Sequence, residues 1–175
     1  MLITNEEYVV KIVIKIKSQS YKQEKWNSFM FPKKKWLKNK KPTSELRKQI
    51  RKLDKVFSEY IRLKDTNPQG LCFCITCNRP FHWRDGDAGH FVQRDRLATR
   101  FDEYNVNAQC KYCNRFRSGE QARHGMEIDK KYGEGTAQRL LTISKAKGTK
   151  LDLYWIDVKL KEYKKIVKEL KDKLG

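Results

Sequence analysis

Apolar residues recur along this chain in three patterns, and each predicts a different kind of element. Residues 8–17 read Tyr-Val-Val-Lys-Ile-Val-Ile-Lys-Ile-Lys, and apolar and basic positions alternate over the second half, which predicts a half-buried strand. Its hairpin partner is expected at residues 26–31, across the polar stretch 18–25. Pro42-Thr43-Ser44 then has the form of a helix start. After it Leu46, Ile50, Leu53, Phe57 and Tyr60 step by four and three residues, one apolar stripe with Lys and Arg on the other face. Asn67-Pro68-Gln69-Gly70 predicts the turn that ends this helix. Residues 71–117 carry no long periodic run, only cysteines, aromatics and glycines. Beyond them, residues 120–132 and 136–144 read as short helices between Gly133, Gly135 and Gly148. A second stripe, Ile156, Leu160, Tyr163, Val167, Leu170 and Leu174, closes the sequence. The two stripes are expected to pack on each other within one chain, with pairing between chains as the alternative. Neither reaches the three to four heptads of a stand-alone coiled coil.

These patterns divide the chain into residues 1–42, a basic strand or hairpin with a lysine-rich arm; 43–66, an amphipathic helix; 67–134, a compact core; and 135–175, C-terminal helices. The fold class is α+β. Charge narrows the function. A formal net charge of +19 on 175 residues calls for a polyanionic partner. Nucleic acid is favoured over a membrane surface, because no apolar run approaches the ~20 residues that span a bilayer. The run Phe31-Pro-Lys-Lys-Lys-Trp-Leu-Lys-Asn-Lys-Lys41 reads either as a solvated linker or as an arm that places Lys33, Lys34 and Lys35 on phosphates. No secretory signal opens the sequence, so an intracellular, reducing setting is expected.

In that setting the cysteines point to metal rather than to disulfides. Cys74-Ile-Thr-Cys77 and Cys110-Lys-Tyr-Cys113 are two Cys-x-x-Cys knuckles. Each aims two thiolates at one ion, and together they supply the four ligands of a tetrahedral structural zinc site. Cys72 falls outside this spacing and reads as a small buried apolar residue. His82 lies in an aromatic cluster, and His124, next to Arg123, reads as a surface residue. His90 differs. It ends Asp87-Ala-Gly-His, between the knuckles, with Asn105 before the second knuckle and Asn114 directly after it. A histidine and two asparagines at those offsets suggest a metal-dependent nuclease folded around the zinc. Phe91 and Val92 are expected to continue the strand that His90 lies on.

Asp87-Ala-Gly-His90, Asn105, and Gln109-Cys-Lys-Tyr-Cys-Asn114-Arg-Phe-Arg117 resemble the HNH nucleases, the ββα-metal class. With Arg100-Phe-Asp-Glu-Tyr-Asn105-Val and Ser118-Gly119 they resemble more narrowly the lambdoid-phage recombination endonucleases, the NinG (Rap) family. The likeness runs from about Ser44 to the C-terminus and is specific over residues 72–119. Family members often carry another cysteine-rich module at the N-terminus, whereas residues 1–40 here contain no cysteine.

The resemblance implies a small zinc-stabilised ββα-metal core flanked by basic amphipathic helices. It also implies hydrolysis of phosphodiester bonds in branched recombination intermediates, Holliday junctions or D-loops, in the host cytoplasm. His90 is then the general base, a task suited to a neutral imidazole. Asn105 orients that imidazole through a hydrogen bond. Asn114 is a ligand of the catalytic Mg2+ or Mn2+. Asp87 is the nearest carboxylate, but on a regular strand it faces away from His90. Either the Ala88-Gly89 backbone bends, or the ion relies on Asn114, water and phosphate. Arg100 and Arg117 fall where phosphate clamps are expected, and Arg94 and Arg96 offer the same chemistry from the hairpin loop. Symmetric cutting of a junction would favour a homodimer. Competing readings are a non-catalytic zinc-dependent nucleic-acid-binding protein, a base-specific HNH nuclease and a scaffold.

Overall fold

In the computed structural model the chain divides into two units, residues 1–41 and 42–175, and the structure describes residues 43–146 and 148–174, all within the second. The expected N-terminal hairpin and Lys33, Lys34 and Lys35 lie outside the described residues.

Two long helices form the frame. Helix α1 (Ser44–Leu63) starts where the Thr43 hydroxyl accepts a hydrogen bond from the Leu46 amide at 3.2 Å, an N-cap that satisfies one orphan donor of the first turn. The last helix, α4 (Leu153–Asp172), is capped likewise by Asp152, whose carboxylate accepts from the Trp155 amide at 2.7 Å. The stripes meet within one chain: Leu53, Phe57 and Ile61 of α1 bury against Ile156, Leu160 and Tyr163 of α4. Phe57 and Tyr163 pack edge to face, with ring centroids 5.1 Å apart. Glu103, in the loop beneath, accepts from both tyrosines that line this seam, Tyr60 at 2.6 Å and Tyr163 at 3.2 Å. Burial, reinforced by this carboxylate, pushes both phenols far above their ordinary range, so they remain donors.

Between the two helices in the chain come two antiparallel hairpins. β1 (Leu71–Phe73) pairs with β2 (Pro80–His82), Cys72 opposite Phe81. β3 (Asp87–His90) pairs with β4 (Val106–Gln109), Asp87 opposite Gln109 and His90 opposite Val106. All four residues of β4 are buried. Val106 enters the α1–α4 core and Ala108 packs with Leu63, Cys72, Trp83 and Val167. The buried amides of β4 tie it to its surroundings: Asn107 accepts from the Tyr132 hydroxyl at 2.8 Å, and Gln109 donates to the Thr76 hydroxyl at 2.6 Å and the Gly119 carbonyl at 2.9 Å, while its Oε1 has no partner among the described residues. A π-helical turn (Tyr112–Phe116) follows β4, then α2 (Gln121–Tyr132) and α3 (Thr136–Ser144). These close a third cluster of Phe91, Val92, Ile128, Ala137 and Leu140. Among the described residues no helix is long and apolar enough to cross a membrane.

β3 ends at His90 rather than running on through Phe91 and Val92. The side chain of Asn105 takes both backbone groups of Val92, accepting from its N–H at 2.6 Å and donating to its C=O at 3.1 Å. That amide replaces the strand ladder and turns the chain into the third cluster.

Candidate functional site

Each knuckle is a turn next to a strand. Cys74 follows β1, and Cys77 lies in the turn to β2. The turn closes with the Asn78 amide donating to the Cys74 carbonyl at 2.8 Å. Asn78 takes φ +57°, a left-handed conformation that Asn tolerates better than most residues. Cys110 follows β4 and Cys113 sits in the π-helical turn. A backbone bond from Ile75 N to Ala108 O, 3.0 Å, ties the two turns together. The four Sγ atoms consequently lie within 4.8 Å of one another, with Cys77 and Cys110 at 3.8 Å. Four thiolates held ~2.3 Å from a tetrahedral ion stand about 3.8 Å apart, so the cluster has the spacing for a metal such as zinc. Burial and the neighbouring thiols push the Cys113 thiol far up, a cost that a divalent cation removes. Cys72 stays outside the cluster. Its thiol faces the Phe81 carbonyl at 3.6 Å, and burial pushes it up to about 11.

His90 stands at the end of β3, with Nε2 3.1 Å from the Arg100 carbonyl. A carbonyl oxygen only accepts, so Nε2 carries the proton and Nδ1 keeps its lone pair. No group among the described residues hydrogen-bonds Nδ1. Burial lowers the imidazole below its ordinary range, more than the carbonyl contact raises it, so the ring is neutral at neutral pH.

The expected bond from Asn105 to this imidazole is absent. All of the Asn105 amide is spent on loop backbone, on Val92 and, at 2.8 Å, on the Thr99 carbonyl. Its influence on His90 is indirect: it holds Thr99, the residue before the carbonyl that orients the ring.

Asp87 and Asn114 come together. The Asn114 amide donates to Asp87 Oδ2 at 3.0 Å. Asp87 also holds a bidentate pair with Arg115, Nε to Oδ2 at 2.7 Å and Nη2 to Oδ1 at 2.6 Å. That guanidinium keeps the Asp87 carboxyl below the usual carboxylate range. The sequence reading missed Arg115, although it sits beside Asn114. Asp87 and Asn114 are an oxygen-donor pair suited to a hard divalent cation, and any such cation competes with Arg115.

Gly89 permits a close approach, and what approaches is the Gln109 side chain, onto which a Cβ at 89 would collide.

The arginines separate. Arg100 forms a bidentate pair with Asp54 of α1, Nε to Oδ1 at 3.0 Å and Nη2 to Oδ2 at 2.7 Å, and Nη1 donates to the Arg94 carbonyl. With only 14% of its side chain exposed, it is committed to Asp54 in this arrangement rather than offered to solvent. It fixes the loop whose carbonyl holds His90. Arg94 shares Asp54 at 3.0 Å but remains largely exposed. Arg96 and Arg117 are exposed too, beside Asp95 and Glu120 respectively.

His124 also corrects a reading. It is fully buried in α2, edge-on to Phe91, and among the described residues neither ring nitrogen has a hydrogen-bond partner. Burial lowers it to about 4.

These features define a mixed protein of helices and two small antiparallel hairpins around a four-cysteine cluster able to hold a metal such as zinc. The family model of the bacteriophage lambda NinG protein matches residues 4–173, and the chain belongs to that family. No curated protein and no solved structure matches it.

Proposed function

We propose that this protein is a metal-dependent endonuclease of the HNH type that hydrolyses phosphodiester bonds in branched DNA during phage recombination. The observation that carries the reading is the state of His90: Nε2–H is committed to the Arg100 carbonyl, Nδ1 is unencumbered, and burial keeps the ring neutral. Such an imidazole accepts a proton near neutral pH. Support comes also from the Asp87–Asn114 contact, from the β3–β4 hairpin and following turn that carry these residues, and from the family to which the chain belongs.

Nδ1 of His90 takes a proton from water, the water oxygen bonds to phosphorus, and the bond from phosphorus to the leaving oxygen breaks; that oxygen takes a proton from solvent water, and His90 returns its own to solvent. Asp87 and Asn114 would hold Mg2+ or Mn2+, which when bound supplies charge to the phosphate and its leaving oxygen. Asn105 and Arg100 are positioning residues, acting through the 92–100 loop. Arg94, Arg96 and Arg117 offer exposed guanidiniums to neighbouring phosphates. Contacts to phosphates carry no base information, so selectivity for branched DNA comes from its geometry. A homodimer would cut the two equivalent strands of a junction.

One observation favours a second reading, a zinc-dependent nucleic-acid-binding protein without catalysis: Arg115 already neutralises Asp87. A labelled four-way junction and a matched linear duplex, each with Mg2+ or Mn2+, separate the two. The nuclease reading expects faster cutting of the junction. Equal cutting of the duplex removes the branch selectivity, and tight binding without cutting under either metal leaves the binding protein.

A further inference from the structure

Two rings beside the candidate site are left in solvent. Phe116 is 78% exposed and Tyr112 49% exposed, and neither enters any of the three apolar clusters. Single exposed apolar residues are ordinary, but these two are coupled and surrounded in a specific way. They sit on the same side of the π-helical turn, with ring centroids 6.5 Å apart and planes inclined by 31°. The Arg79 guanidinium lies 5.6 Å from the Tyr112 centroid and the Arg117 guanidinium 6.0 Å from it. Phe116 lines an open groove together with residues of α2, among them Arg123, Met126, Glu127 and Lys130.

The backbone holds this surface out. Ser118, Gly119 and Glu120 take φ +49°, +80° and +51° in succession, a left-handed arrangement that is costly for a non-glycine residue. It is held by Gly119 N on the Cys113 carbonyl at 2.9 Å and by Gln109 on the Gly119 carbonyl. The cluster that can bind metal therefore anchors the turn on which both rings stand. Phe116 follows Asn114 by only two residues.

We infer that Tyr112 and Phe116 form a stacking platform for unpaired DNA bases, flanked by arginines for the adjoining phosphates. Flat aromatic faces ringed by guanidiniums are what a single strand uses, because every base offers a π-face and every linkage a negative charge. An apolar protein partner is the poorer occupant. The two acids on the groove are already paired, Glu120 with Arg117 and Glu127 with Lys130, whereas Arg79 and Arg123 keep their charge toward solvent. The whole chain also carries +19. The inference rests on the nucleic-acid part of the proposed function and gives its branch selectivity a cause: a base unpaired at a junction can stack beside Asn114, and one inside a duplex cannot.

The test is fluorescence anisotropy with zinc-loaded full-length protein and no other divalent ion, so that binding is read apart from cutting. The probes are a labelled oligo-dT strand, the same strand with abasic sites, an oligo-rU strand of that length and a blunt duplex. Phe116→Ala should weaken oligo-dT binding by about tenfold, leave duplex binding within twofold and leave the melting temperature unchanged. Phe116→Trp should restore binding, with its indole fluorescence quenched by the strand. Wild type should bind the abasic strand as weakly as Phe116→Ala binds oligo-dT. Equal losses on strand and duplex, or no loss on either, overturn the platform, and tighter binding of oligo-rU than of oligo-dT overturns the assignment to DNA. Loss of self-association on sedimentation, with DNA binding intact, would assign the surface to a second copy instead. Strand-selective loss in Phe116→Ala stands even if wild type never cuts a junction, and a nuclease unaffected by Phe116→Ala fails here alone.

Discussion

At the residue scale the site depends on what each polar atom is already bonded to. His90 is poised because its Nε2 proton goes to a backbone carbonyl that cannot take another role. Asp87 is in the reverse condition, both carboxylate oxygens engaged by Arg115 and one also by Asn114. Arg115 stands in solvent, where ion pairs are weak, so a divalent cation can displace it. Arg115→Ala should therefore tighten Mn2+ binding by a few-fold, measured by calorimetry or by the loss of the free-ion signal in paramagnetic resonance. Unchanged or weaker binding would mean that Asp87 is not a ligand. Cys74, Cys77, Cys110 and Cys113 were legible from spacing alone, since two residues between thiolates fix a local turn. The Asp54–Arg100 pair was not: its members are 46 residues apart, and no local pattern marks one acid on a basic helix as the partner of a distant arginine. His124 was legible in principle, because it shares a face with Ile128 one turn on, and its neighbour Arg123 obscured that.

At the element scale the periodicity of three and four residues predicted the helices and the packing of α1 on α4, because burial of a stripe is the only stable outcome for two such helices in contact. Short strands carry no such signal. β3 and β4 have four residues each, and their register is set by buried amides rather than by alternation. Gly89 is the point where this matters, since Gln109 lies where a side chain would be. Gly89→Ala should overpack this contact and cost about 1–3 kcal/mol, read as a lower midpoint in urea denaturation. It should also loosen the second knuckle, because Gln109 precedes Cys110, and so speed metal loss to a chelator. An unchanged midpoint would show that Gln109 moves aside without cost.

At the scale of the whole molecule, the core of the described residues falls into three small clusters, so the four-cysteine cluster is expected to supply folding energy, on the order of 10 kcal/mol when zinc binds such sites. His124 adds a pH dependence. It is neutral in the fold, lowered to about 4, and titrates near 6.5 when unfolded. The unfolded chain thus takes up a proton first, and stability present above about pH 6.5 is lost as pH falls toward 4, by roughly 3 kcal/mol. His124→Leu, which keeps the apolar contact with Phe91, should flatten the denaturation midpoint between pH 6.5 and 4 relative to wild type. Parallel curves would contradict this account of His124. The central claim concerns His90, and single-turnover cleavage of a four-way junction across pH, by wild type and by His90→Ala matched for metal content and DNA affinity, tests it most directly. The account predicts a wild-type rate that falls on the acid side with a midpoint below 6.5 and a rate at least about 100-fold lower in His90→Ala, with that limb gone. Equal rates and the same pH profile in both proteins would contradict it.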